Sequence, residues 1–93
     1  MLIGTLILEL YLPGSSSLKE KRFILKSIKD RIRNQFNVSV AEIEFHDKWQ
    51  RCGLGIACIS NNRRHLDSIL SKISMFFERE SRVEILDEST EIL

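Results

Sequence analysis

Within 93 residues the spacing of apolar side chains switches from two to about 3.6 and back, twice over, and this succession leaves few folds open. Residues 2–12 alternate, with Leu6, Leu8 and Leu10 set against Thr5, Glu9 and Tyr11, as in a strand with one face on a core. Pro13-Gly14 stops that strand. Leu18, Leu25, Ile28, Ile32 and Phe36 then fall on one side at helical spacing, and Ser17 with Glu20 three positions later forms a capping-box pattern that places the N-cap at Ser17. Asn37 closes the helix. A second strand, Val38 to about His46, reverses its parity midway, which predicts a β-bulge near Ala41. Asp47–Gln50 reads as a hairpin loop and Arg51–Ser60 as the return strand. Asn61 or Asn62 caps a second helix with Leu66, Ile69, Leu70, Ile73, Phe76 and Phe77 inward. A last strand begins near Arg82, with its end open between Asp87 and Ile92.

The order β-α-β-β-α-β is that of the ferredoxin-like α+β fold: one domain over residues 1–93, with two helices on one face of a four-stranded antiparallel sheet. A further expectation is that the first and third strands run side by side in the same direction. Both helix N-termini would then meet at one end, bringing Ser17, Lys19 and Arg22 near Arg63, Arg64 and His65.

Composition is that of a globular chain, 43% hydrophobic and 29% charged. The apolar N-terminal run carries no cation before Lys19, is interrupted by Glu9, and is too short to span a bilayer. Cys52 and Cys58 lie on one strand, roughly 20 Å apart, and cannot bridge each other. The expected compartment is the cytoplasm, with no membrane association. Net charge is only +1, but it is unevenly divided. Residues 17–36 hold seven Lys or Arg against Glu20 and Asp30, whereas residues 78–93 hold six acids against Arg79 and Arg82.

Three surfaces stand out. Cations at a helix start oppose the backbone dipole, so Lys19, Lys21 and Arg22 sit where acids would be favoured. With the free N–H groups at Ser17 and at the second helix start, they suggest an anion site. Helical projection gathers Lys19, Arg22, Lys26, Lys29 and Arg33 into a ridge, with Asp30 and Glu20 on the other flank, the footprint of phosphate-backbone binding or of an ordinary solvated face. Lys21 falls on the apolar row, where either its stem covers the core edge while the amine reaches water, the commoner outcome, or the amine meets a carboxylate. The uncovered sheet face would carry Ile7, Gly55, Ala57 and Ile59, and it lacks paired aromatics for stacking bases. That face, with Phe23 projecting from the first helix, suggests a partner surface or a second copy of the chain. Trp49 at the hairpin tip could anchor a partner or fold back onto the helix C-termini around Phe36 and Phe77, the second being the commoner fate of a lone Trp. No phosphate-cradling loop, nucleophile elbow or Cys-x-x-Cys motif is present, and His46, Asp47 and Cys52 fall short of a closed metal site. The chain is read as a non-enzyme without a cofactor.

The segments LPGSSSLKEKR at 12–22 and RIRNQFNVSVAE at 31–42, with Trp49 followed by the strand carrying Gly53 and Gly55, resemble the YlxP-like family of small bacterial proteins, a domain of unknown function. The resemblance implies a ferredoxin-like fold and a bacterial cytoplasmic setting. Genes of that family often sit beside those for translation initiation and ribosome maturation factors, which implies a link to RNA or ribosomes and supplies no catalytic residues. The expected function is binding of structured RNA or a ribosomal precursor; the alternative is a homodimer or protein-partner module using the open sheet face.

Overall fold

The computed structural model describes all of residues 1–93. Its elements are β1 (Leu2–Tyr11), α1 (Leu18–Gln35), β2 (Ser39–Glu44), β3 (Arg51–Ser60), α2 (Arg63–Arg79) and β4 (Glu84–Ile92). They form an α+β ferredoxin-like βαββαβ fold with an antiparallel sheet in the order β2-β3-β1-β4. The last strand runs to Ile92, and Leu93 exchanges two backbone hydrogen bonds with Ile3.

Alternation on the central strands puts Leu6, Leu8 and Leu10 of β1 opposite Ile56, Leu54 and Cys52 of β3, all buried under the helices. Leu25, Ile28 and Ile32 of α1 and Leu66, Leu70, Ile73 and Phe77 of α2 complete one apolar cluster. Gly4 lets α2 approach β1 closely, since a Cβ there would lie 2.9 Å from Leu66 Cγ and Leu70 Cδ1. Both helices start on polar caps: Ser17 Oγ accepts from the Glu20 N–H and Asn62 Oδ1 from the His65 N–H.

The bulge in β2 lies between Glu42 and Glu44, two residues beyond the position expected from parity, and a second irregularity in the β1–β4 register falls between Glu9 and Leu10. After the first bulge Ile43 lies over Gly55, where a Cβ would sit 3.2 Å from its Cγ2, and Glu44 lies over Gly53. The gaps left by these two glycines are therefore filled by the chain itself.

The shared helix-start end is not formed. β1 and β3 run antiparallel, with Leu2 opposite Ser60 and Tyr11 opposite Arg51. A crossover through α1 makes β1 and β2 parallel; the β2–β3 hairpin then reverses direction, so β3 must oppose β1. Helix α1 follows the Tyr11 end and α2 follows the Ser60 end. Arg63, Arg64 and His65 consequently lie at the opposite end of the sheet from Ser17, Lys19 and Arg22.

Candidate functional site

The start of α1 has already found its anion. Glu20 reaches back so that its carboxylate accepts from the Ser16 N–H and Ser16 Oγ, both at 2.9 Å. These two bonds hold the Glu20 carboxyl below its ordinary range, the backbone bond contributing most. Ser17 is occupied as the N-cap, so neither serine is free for a ligand. At the other end, Arg63 is 3.8 Å from Asp67, one helical turn on.

The ridge on α1 survives in a modified form. Lys26 Nζ is 2.8 Å from Asp30 Oδ2, and Arg33 lies 3.9 Å from Asp30 Oδ1, so Asp30 sits within the ridge rather than on the other flank. Contacts with Lys26 chiefly lower the Asp30 carboxyl, which keeps it charged. Arg33 also donates to the Val40 carbonyl at 3.1 Å, tying α1 to the edge strand β2 and occupying one of its acceptors. Lys19, Arg22 and Lys29 remain without a carboxylate partner. None of the six acids of residues 78–93 pairs with a ridge cation; Glu80 alone reaches α1, and it takes Arg31. Glu84, Asp87, Glu88 and Glu91 lie on β4, which forms the sheet edge opposite β2.

Lys21 does not reach water. It is 1% exposed, with Nζ 2.6 Å from the Phe45 carbonyl and 2.7 Å from Glu42 Oε2. The second approach is close in distance but not aligned as a hydrogen bond, so Glu42 Oε2 is compensated by charge alone. Phe45 takes a left-handed φ of 61°, uncommon for an aromatic residue, while its carbonyl receives the Lys21 ammonium. Cys52 lies on the same buried side, and its thiol is pushed up to about 12, first by burial and then by the Glu42 charge. Burial also raises Cys58. Both cysteines are free and have little thiolate character at neutral pH.

The open sheet face carries Ile7 at 40%, Ile43 at 45% and Ile59 at 66% exposure, with Ala41, Gly55 and Ala57 between them. Phe23 is 75% exposed on α1, in the helical layer, and so belongs to a different surface. Trp49 stays at the hairpin tip, 55% exposed, and does not fold back onto Phe36 and Phe77. No three His, Cys, Asp or Glu side chains converge as metal ligands, and no helix is long and apolar enough to cross a membrane.

What the sequence reading passed over is Glu80. It is 9% exposed and holds Arg82 through both carboxylate oxygens and Arg31 at 3.1 Å, which joins the end of α2 to the C-terminal half of α1. Its neighbours in sequence, Arg79 and Arg82, were the available signal, because an acid between two cations near a helix end is placed to organise them.

Residues 3–90 match the family model described as "Protein of unknown function (DUF503)". The chain is 39% identical over 83 residues to the "Uncharacterized protein YlxP" of Bacillus subtilis (strain 168), covering 89% of this chain and 90% of that protein.

Proposed function

The chain belongs to the DUF503 family of unknown function, and on that premise we propose that it is an RNA-binding domain whose α1 ridge meets the phosphate backbone. One observation carries this reading: Lys19, Arg22 and Lys29 lie unneutralised on one helix, while the acids of β4 occupy the far edge of the sheet. Segregation of this kind leaves a field of one sign on the helix, the sequence-independent part of nucleic-acid affinity. Structured RNA, as in a ribosomal precursor, suits a convex ridge better than a stacking platform, because the sheet face has no aromatic pair.

Binding to an RNA hairpin should weaken steeply with salt. In Lys19→Ala/Arg22→Ala/Lys29→Ala the slope of log affinity against log salt should flatten by about three units, about one per lost phosphate contact. Arg63→Ala/Arg64→Ala, at the opposite end, should leave the slope unchanged. Absence of salt-sensitive binding by the native protein at micromolar concentration would end this reading, as would an equal loss in the Arg63/Arg64 variant.

The exposed isoleucines favour a second reading, in which the open face packs on a second copy of the chain. Light scattering after size exclusion should then show a dimer that Ile7→Glu converts to a monomer. A native protein that is monomeric well above micromolar concentration removes this reading.

A further inference from the structure

Between the C-terminal halves of the two helices lies a cleft of about 690 Å³ that no ridge residue lines. Its size is within the range of small-ligand sites. Lys72, Met75, Phe76 and Arg79 recur at helical spacing and line it from α2; Arg31 faces them from α1, and Arg82 closes one end.

Four cations and one carboxylate line this cleft, and the carboxylate is already engaged. Glu80 holds Arg31 and Arg82, so it cannot also neutralise Lys72 and Arg79, neither of which has an acidic partner. Cations near the end of α2 suit the helix dipole, and that alone would explain Lys72 and Arg79. It does not explain two arginines on other elements turned to the same cleft, each fixed before any ligand arrives. Arg82 is held by Glu80 and by Ser27 Oγ at 3.3 Å. Arg31 is held by Glu80 and by the Phe76 ring, 4.8 Å from its centroid. Such fixed guanidinium groups retain free N–H donors suited to phosphate and lose little freedom on binding.

The remaining wall is apolar. Met75 is 43% exposed, and Phe36 and Phe76 are half-buried beside it. A plain anion has no use for such a wall, whereas a planar base does, through stacking on the guanidinium and contact with the thioether and rings. We propose that this cleft is a nucleotide-binding site, with the phosphate at Lys72 and Arg79 and the base against Arg31, Met75 and Phe76.

The nucleotide could be free or one unpaired unit of an RNA strand, and a single set of titrations separates these sources. Methyl and aromatic NMR shifts of Met75, Phe36 and Phe76 are followed as AMP, ribose 5-phosphate or single-stranded hexaadenylate is added. Saturable shifts at these residues with AMP, weaker with ribose 5-phosphate, are expected; AMP without hexaadenylate identifies the free source, and hexaadenylate without AMP the RNA source. Lys72→Ala/Arg79→Ala, both surface changes, should lower affinity by about tenfold or more. Lys19→Ala/Arg22→Ala/Lys29→Ala should leave the AMP shifts unchanged, so the cleft stands or falls apart from the ridge. Equal response to ribose 5-phosphate and AMP would overturn the base platform. No shift with either AMP or hexaadenylate at millimolar concentration, or undiminished affinity in Lys72→Ala/Arg79→Ala, would overturn the site.

Discussion

Replacing Lys21 by methionine is expected to lower the unfolding free energy by about 3 kcal/mol, near the low end for breaking a buried ion pair. The change keeps most of the stem's volume and removes the ammonium, leaving the Glu42 carboxyl without its cation and only 18% exposed at the side chain, with Oε2 fully shielded. It also takes away the donor to the Phe45 carbonyl, whose left-handed backbone is then held in place by less. For a domain of this size the thermal midpoint should fall by roughly 10–20 °C. Lys21→Met combined with Glu42→Leu should recover most of the loss, because an apolar pair of similar volume often matches a buried ionic one. Urea unfolding of the two single variants and the double variant measures the coupling. If Lys21→Met alone were as stable as the native chain, the pair would not be holding α1 to the β2–β3 hairpin.

The fate of Lys21 shows where sequence reading loses its grip. Periodicity placed it on the apolar row, and that was right. Whether its amine found water or a carboxylate depended on Glu42, 21 residues away on β2, and on the bulge that follows it. Three of the elements were legible from a clean period or a polar stop: alternating leucines in β1, the Ser17 cap of α1, and Asn62 before α2. Strand direction has no such local mark. It follows from counting reversals along the topology, and the expectation of like-directed first and third strands missed the reversal made by the hairpin.

The same distinction applies to the candidate sites. The α1 ridge was visible because its cations share one helix, although the position of Asp30 between Lys26 and Arg33 was resolved only by the fold. The cleft was not visible, since the row Lys72, Met75, Phe76 and Arg79 reads as one face of α2 until packing sets Arg31 of α1 opposite it. Gly55 had suggested space for a partner, and that space is taken by Ile43 after a bulge displaced from its expected position. Charges on one element can be read from a sequence, but charges assembled across elements require the packing.

Glu80 supplies the second large effect, as a pH dependence. Hydrogen bonds from Arg82 chiefly, with the charge of Arg31 adding, hold its carboxyl at about 2, against 4.5 for an ordinary glutamate. A folded value below the unfolded one means that the stabilisation is fully present above pH 4.5 and is lost as pH falls through about 2. The side chain is only 5% exposed, so solvent screening is limited, and the linked loss should be about 3 kcal/mol. Glu20 and Asp30 are also held below their ordinary range and add their own pH dependence in acid, so the useful quantity is a difference. Native protein should exceed Glu80→Gln in stability at neutral pH, and the gap should close steadily between pH 5 and 2 as Glu80 becomes neutral in both chains. Arg31 and Arg82 face it, and the Glu80 carboxylate raises the Arg82 guanidinium further, so Arg82 stays cationic throughout that range. Urea midpoints measured across the window decide the matter: a gap of constant size would mean that Glu80 acts through shape and hydrogen bonding alone, with no charge held between α1 and the α2–β4 turn.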